Sequence, residues 1–239
     1  MAAKNRKTAP PKKNMKPFYV LLAAIAVIGI GAIFYSMRSG AEMATEPLDM
    51  STIANADSLL AQARGIPIGD ENAPVQVIVF SDFQCGGCAH WTTNVEPLVK
   101  QEYVETGKVR YTYYDYPITS IHAHAFLAAR AARCALDQDK FWEYHDRVFA
   151  GQYEWSYSRT APVDIFTRYA TETGLDVDEF TQCLRSDRHA ETVTANALLG
   201  QTLGVNGTPT VYINQRKLGD REWQDFATVS AAIQAAGGV

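Results

Sequence analysis

Two cysteines separated by two glycines, Cys85 and Cys88, are the residues of this sequence whose types and spacing are best suited to chemistry. They follow a β-branched run, Val75 to Phe80, and precede a stretch of helical spacing that extends to Gly107. The pair therefore falls on the first turn of a predicted helix, where unpaired backbone N–H groups and the helix dipole favour a thiolate at Cys85. Because a thiolate attacks disulfides, and because Cys88 can reach back to displace what Cys85 captures, the pattern predicts a redox site.

The alternatives for this pair are a structural disulfide and half of a zinc site. Zinc requires four ligands and usually two such pairs at compatible spacing. The other cysteines, Cys134 and Cys183, are single residues within predicted helices. We therefore predict redox catalysis by Cys85 and Cys88, with no bound metal and no cofactor other than their own disulfide.

The remaining polar candidates are weaker. His90 lies two residues beyond Cys88 and could help to hold the thiolate, so it is a candidate modulator. Asp82, three residues before Cys85, is another. His122 and His124 are two apart and do not share a helix face, so we predict that they are surface or capping residues.

The N-terminus predicts a membrane anchor. Residues 1–17 form a basic tail that contains six Lys or Arg and no acid, and Phe18 to Met37 is an uncharged run of 20 residues. As a helix this run is about 30 Å long, which is enough to cross a bilayer. The basic flank predicts a cytoplasmic N-terminus in the bacterial cytoplasmic membrane, with the rest of the chain outside or in the periplasm.

A cleaved signal peptide is the alternative to a signal anchor, since it has the same polarity. The apolar run is longer than an ordinary signal peptide core, and residues 36–41 match a cleavage site poorly. Under both interpretations the domain is exported.

Without the tail, the chain has 16 basic residues against 26 acidic ones, which argues against nucleic acid as a partner.

The order of predicted elements indicates an α/β domain at 65–239, joined to the anchor by a linker at 38–64. Val75 to Phe80, the helix with its kink at Pro97, and a strand from Lys108 to Tyr114 form a βαβ unit. A strand at Thr210 to Ile213 and a final helix from about Glu222 to Ala235 follow a helical insertion at about 119–204. Its predicted helices are Ile121–Leu136, Lys140–Ala150, Pro162–Thr173, Val177–Arg185 and Arg188–Leu203.

A second landmark is the Thr208-Pro209 dipeptide, immediately before a strand. Proline cannot donate to the sheet there, and cis peptide bonds are essentially confined to X-Pro. Alone, this signal is weak.

Together the two landmarks resemble the thioredoxin superfamily, and the longer pattern is similar to its DsbA branch of exported thiol-disulfide oxidoreductases. The likeness covers roughly residues 66–237. It is carried by Gly69-Asp70 with Ala73-Pro74, Phe80 to Cys85, Tyr103 to Val109, Tyr114 to Pro117, Ala128 to Tyr144, and Leu203 to Asn214.

The resemblance implies a four- or five-stranded thioredoxin-like core with an inserted helical domain. It also implies that Cys85 is the exposed nucleophile, that Cys88 is the resolving thiol, and that Thr208 and Pro209 form a substrate-binding cis-proline loop.

The sequence departs from the family pattern at two positions that matter. Val79 stands where the family often has a buried acid, so a proton relay must come from water or another group such as Asp82. The dipeptide between the cysteines is Gly86-Gly87 and contains no proline, so the redox potential of the family cannot be assigned to this chain by analogy.

Cys134 and Cys183 are predicted to pair as a structural disulfide that ties two helices of the insertion. A loop of this length contributes roughly 4 kcal/mol at most in the chain-entropy model. A second redox pair that relays electrons is the alternative.

We therefore expect a monomeric, membrane-anchored, exported oxidoreductase of the oxidase type. Its expected partners are unfolded or reduced exported proteins and a membrane thiol oxidase that reoxidises it. An isomerase or reductase of the same fold is one alternative, although no dimerisation domain is evident before residue 66. A metal-handling or binding module without turnover is the other.

Overall fold

The computed structural model describes residues 25–30, 43–49 and 56–237. The chain divides into two units, Met1–Glu42 and Met43–Val239. In the first unit, residues 25–30 are helical, whereas the basic tail and the rest of the predicted anchor at 18–37 lie outside the described residues. None of the helices in the described ranges combines the length and the apolar character that a bilayer crossing requires.

A five-stranded mixed sheet organises the second unit. Its strands are β1 (Ile66–Ile68), β2 (Val75–Ser81), β3 (Val109–Asp115), β4 (Thr210–Ile213) and β5 (Arg216–Lys217). Their order in the sheet is β1-β3-β2-β4-β5, with β2 and β3 parallel and the other pairs antiparallel. In β2 the side chains of Val75, Val77 and Val79 are fully buried on one face of the sheet, and Phe80 is buried on the other.

Helices cover the sheet and fill the chain between β3 and β4. A short helix α1 precedes β1, six helices lie between β3 and β4, and α10 follows β5 in the described part of the chain. The bounds are α1 Ala56–Leu60, α2 Gly86–His90, α3 Glu96–Val99, α4 Ala125–Leu136, α5 Phe141–Ala150, α6 Gln152–Trp155, α7 Val163–Glu172, α8 Val177–Arg185, α9 Ala190–Thr202 and α10 Phe226–Gly237.

The helix after β2 is less regular than predicted. Residues Trp91–Val95 and Lys100–Val104 are wound as π-helix on either side of α3, which contains Pro97. Pro97 has no N–H to donate and its ring displaces the preceding turn, so a wider winding replaces the simple kink that we expected there. Gly107, at a φ of +72°, follows the helix before β3.

The first predicted helix of the insertion starts later than expected. It begins at Ala125 instead of Ile121, and residues 121–124 form turns. The physical reason lies in the residue that follows β2: the carboxylate of Asp82 accepts hydrogen bonds from the Ile118 N–H and the His122 ring and holds this segment as a loop. The short helix α6 was not predicted.

Helix α4 connects the helices to the sheet. Its residues from Ala125 to Ala135 are all buried, and most are alanine, so neighbouring backbones approach closely. Arg133 in α4 forms a buried ion pair with Asp115 at the end of β3, at 2.5 Å. Cys134 is bonded to Cys183 of α8, with their Cα atoms 5.8 Å apart.

Candidate active site

The two active-site cysteines lie where β2 gives way to α2. Cys85 has an extended backbone (φ −77°, ψ 127°) and stands at the N-cap position, so the helix begins at Gly86. Cys85 is half-buried, whereas Cys88, one turn further on, is completely buried. Both are free thiols in this structure. One sulfur is therefore accessible to a reactant and the other is screened.

The surroundings of Cys85 favour its thiolate. Its pKa is lowered from 9.0 to about 5, chiefly by the hydrogen bond from the Cys88 thiol. The Thr208 side chain and the backbone N–H groups of Cys88 and Gly87 also lower the pKa, while burial opposes them. The two N–H groups belong to the first turn of α2, where they have no intrahelical partner.

Cys88 behaves in the opposite way. Burial raises the pKa of the Cys88 thiol well above 9.0, and the neighbouring Cys85 raises it further. The Asp82 N–H donates to Cys88 Sγ at 3.4 Å, and this contact and the Ser81 side chain only partly offset the burial. Cys88 thus stays protonated and acts as a hydrogen-bond donor to the Cys85 thiolate.

The loop before β4 completes the site. The Thr208-Pro209 peptide bond is cis, and the Thr208 carbonyl oxygen lies 3.3 Å from Cys85 Sγ, which donates to it when protonated. A methyl group at Gly87 would lie 3.2 Å from Pro209 and from Trp223, whereas at Gly86 it would meet open space. The small residue at position 87 therefore allows the helix and the proline loop to approach closely.

Asp82 is buried, and its carboxylate faces neighbouring loops. Its Oδ1 accepts from the Gln84 N–H at 2.7 Å, and its Oδ2 accepts from the Ile118 N–H and contacts His122 Nδ1, both at 2.8 Å. Asp82 contacts Cys88 through its backbone N–H. The hydrogen bonds of its carboxylate therefore join the segment before Cys85 to the loop at 118–122.

The structure corrects the predictions made for three histidines. Both ring nitrogens of His90 are used away from the thiolate, one by the Gln224 carbonyl oxygen at 2.7 Å and the other by Asn94 at 3.2 Å. His124 is buried, and its Nε2 donates to the Ser158 carbonyl oxygen at 2.8 Å. His122 is partly buried against Asp82. His124 stands at the N-cap position of α4, as the capping prediction allows, although its side chain makes no capping hydrogen bond. The alternative of a surface role is wrong for His124, and His122 is only partly exposed, because the loop at 118–124 folds against the site.

Two glutamines that sequence reasoning missed fasten the cysteine segment to the inserted helices. Gln152, the first residue of α6, donates to the carbonyl oxygens of Phe83 and Cys85 at 2.8 and 3.1 Å. Gln84 donates to the Ser156 carbonyl oxygen and accepts from the His124 N–H. No local signal identifies these residues, since their partners lie 40 or more positions away.

A cavity of about 490 Å³ lies beside Cys85, between the active-site segment and the inserted helices. Its lining includes Gln84, Gly86 and His122. Ile121, Tyr153 and Tyr157 also line it and are 71%, 85% and 81% exposed, so three large side chains with apolar surface stand beside a lining that is otherwise mostly polar.

Among the described residues, Cys85 and Cys88 do not belong to a group of side chains that could together hold a metal ion. In the described part of the chain, two groups have ligand atoms close enough together to hold an ion: Cys134 with Cys183 and His189, and Glu96 with His145 and Asp146. Neither includes Cys85 or Cys88, and the cysteines of the first group are already joined in a disulfide. The arrangement at Cys85 and Cys88 is suited to thiol-disulfide exchange.

Comparison with known sequences agrees with this chemistry. The thioredoxin family profile matches residues 62–235. Among curated relatives, the probable disulfide bond formation protein D of Bacillus anthracis is 28% identical over 218 residues, which cover 90% of this chain and 92% of that protein. The Na(+)/H(+) antiporter NhaA 3 of Salinispora tropica is 36% identical over 168 residues, covering 70% of this chain and 24% of the antiporter. The chain thus spans about a quarter of that longer relative.

Comparison with solved structures gives the same fold. BdbD from Bacillus subtilis superimposes with a TM-score of 0.64 at 21% identity, covering 72% of this chain and 92% of that one. The α-DsbA1 protein of Wolbachia pipientis gives a TM-score of 0.66 at 23% identity, with 73% and 92% covered.

Proposed function

The chain belongs to the thioredoxin family as a DsbA-like thiol-disulfide oxidoreductase, and on that premise we propose that it introduces disulfide bonds into reduced proteins through Cys85 and Cys88. The predicted thioredoxin-like α/β fold is confirmed by the family match and the structural neighbours. The observation that carries the proposal is the contrast within the pair: a half-exposed sulfur whose pKa is about 5, beside a buried sulfur whose pKa is raised.

The reaction starts from the oxidised enzyme. A substrate thiolate attacks Cys85 Sγ, the Cys85–Cys88 bond breaks, and the Cys88 sulfur leaves and takes up a proton. A second substrate thiolate then attacks the substrate sulfur of the mixed disulfide and displaces the Cys85 thiolate. The substrate loses two electrons to the enzyme, which ends with a Cys85 thiolate and a Cys88 thiol, and the second substrate proton is released to solvent.

The low pKa of Cys85 supports the oxidising direction. A thiol of low pKa is a good leaving group, so the second displacement is fast. Stabilising the Cys85 thiolate also stabilises the reduced enzyme, which makes the oxidised enzyme a stronger oxidant. A reductase would need the reduced form to give up its electrons readily, which this arrangement opposes.

Substrate is held beside the cis-proline loop. Thr208 lies in contact with Cys85 and is only partly buried, so its backbone is available to an extended substrate segment. In our proposal Thr208 and Pro209 form this segment's hydrogen-bonding edge, in the manner of strand addition.

The cellular setting is also part of the proposal. The catalytic domain works outside the cytoplasm, as a monomer held to the membrane by residues 18–37 with the basic tail 1–17 inside. A membrane thiol oxidase accepts the electrons from the Cys85–Cys88 dithiol. The support for this setting is the charge and hydropathy pattern of the N-terminus and the extracytoplasmic role that the DsbA-like relatives imply.

The redox potential of the purified full-length protein tests the direction of the reaction. We expect a value near the ~−120 mV of a strong oxidant, and a value near ~−270 mV would indicate a reductant. Cys88→Ser should accumulate mixed disulfides with substrate proteins, because the resolving sulfur is missing. If reduced ribonuclease is not reoxidised while insulin is reduced, the oxidase proposal is wrong.

A further inference from the structure

A histidine and an aspartate from distant segments form a pair next to the active-site segment. His122 Nδ1 and Asp82 Oδ2 are 2.8 Å apart, with the Asp82 side chain completely buried and the His122 side chain 20% exposed. The same carboxylate oxygen also accepts from the Ile118 N–H, and the other oxygen accepts from the Gln84 N–H. The pair therefore has a fixed geometry, and one edge of the imidazole still reaches the cavity beside Cys85.

The charges around His122 favour its protonated form. The hydrogen bond to Asp82 raises the pKa of His122, burial opposes it, and the charges of Asp82 and of the Cys85 thiolate raise it further. Asp82 comes from the loop after β2 and Cys85 from the start of α2. The other titratable groups around the cavity are His124, whose Nε2 is bonded to Ser158, and the phenols of Tyr153 and Tyr157.

We propose that His122 is a positioning residue of this site: held by Asp82, it places a positive charge beside Cys85 and so favours the thiolate of the reduced enzyme. The inference deepens the proposed function, since it rests on Cys85 being ionised in the reduced state. It assigns to a residue 37 positions beyond Cys85 an electrostatic role that adds to those of α2 and the Cys88 thiol. Asp82 takes part by orienting the ring.

The interaction must be reciprocal. If the His122 cation stabilises the Cys85 thiolate, the thiolate stabilises the cation by the same free energy. Oxidation to the Cys85–Cys88 disulfide removes the thiolate, so the pKa of His122 must fall when the enzyme is oxidised. A role for His122 that is only structural predicts no such dependence on redox state.

The first test uses the unaltered protein. Full-length protein in detergent, labelled with ¹³C at histidine Cε1, is titrated by NMR in its reduced and oxidised states, and the His122 signal is assigned from its loss in H122Q. We expect the pKa of His122 to be higher in the reduced state than in the oxidised state. Equal His122 pKa values in the two states would overturn the proposal.

The second test measures Cys85 directly. In H122Q the glutamine amide can still donate to Asp82 but carries no charge, so the pKa of Cys85, followed by thiolate ultraviolet absorbance, should rise by about one unit. H124Q, in the same loop and on the same cavity, is the matched control and should leave that pKa unchanged. Thermal unfolding of both variants shows that they are folded.

The outcomes separate the inference from the proposed function. A low wild-type Cys85 pKa that H122Q does not raise contradicts only the role of His122. A wild-type Cys85 pKa near the ordinary thiol value contradicts the oxidase proposal and the inference together.

Discussion

The molecule contains two pairs of cysteines in contrasting settings. Cys85 and Cys88 are three positions apart at a helix start, one half-exposed and one buried, and both are free thiols. Cys134 and Cys183 are 49 positions apart, buried between α4 and α8, and joined in a disulfide. The chemistry of sulfur is the same in each pair, so reactivity is determined by the exposed fraction, the neighbouring N–H groups and the ability of the second thiol to donate.

The comparison predicts that only the first pair takes part in exchange. Cys85→Ser removes the nucleophile, so we expect oxidation of a reduced substrate to fall to the rate of the buffer alone. The variant with both Cys134 and Cys183 changed to serine should retain exchange, measured at a temperature at which it is folded. Comparable loss of activity in both variants would contradict the division between the pairs.

The second pair should matter for stability instead. Removing the Cys134–Cys183 bond should lower the free energy of unfolding by up to roughly 4 kcal/mol, because the unfolded chain is no longer constrained by a long loop. Denaturant unfolding of the oxidised wild type and the double serine variant measures this difference. A loss well below 1 kcal/mol would show that packing between α4 and α8 suffices without the covalent bond.

The reactive pair should give the reduced protein a pH-dependent stability. The pKa of Cys85 in the folded state is lowered to about 5, so ionisation stabilises the folded state above that pH. The stabilisation grows as the pH rises towards the ordinary thiol pKa and is lost as the pH falls through about 5. Above the ordinary thiol pKa, the raised pKa of Cys88 acts in the opposite direction.

Unfolding of the reduced protein as a function of pH tests this dependence, with reduced Cys85→Ser as the control. The wild type should gain stability relative to the variant as the pH is raised from 5 towards neutrality. Parallel pH profiles for the two proteins would contradict a low pKa at Cys85.

Alanine substitutions of the two glycines between the reactive cysteines should have small and opposite effects on stability. Gly87→Ala places a methyl group 3.2 Å from Pro209 and Trp223, so we expect a loss of about 1 kcal/mol and slower exchange. Gly86→Ala points its methyl group into open space and is the matched control, with an expected gain of about 0.5 kcal/mol. Equal effects at the two positions would show that the contact between α2 and the proline loop is unimportant.

Local patterns explain what could be predicted from the sequence. Val177–Arg185 and Thr210–Ile213 were predicted with the bounds that the structure has, because helix caps and β-branched runs act over a few residues. Asp176 caps α8, accepting from the Glu179 N–H at 2.9 Å. The position of Cys85 at a helix start was likewise visible in the apolar run before it.

Long-range contacts explain what could not be predicted. His122 meets Asp82 across 40 positions, and Gln152 meets Phe83 across 69, so neither spacing carries a signal. His90 lies close to the cysteines in sequence, yet the segment after β5 draws its ring to Gln224. Proximity in the sequence suggested His90, whereas the tertiary fold brings His122 to the buried carboxylate of Asp82, next to the active-site segment.

The rate of Cys85 alkylation as a function of pH tests the account most directly. The reduced full-length protein is treated with iodoacetamide for short times, and mass spectrometry separates modification of Cys85 from that of Cys88. Because the thiolate is the reacting species, we predict half-maximal reactivity of Cys85 at a pH of about 5, with Cys88 unmodified. Half-maximal reactivity near pH 9.0, the ordinary value for a thiol, would contradict the account.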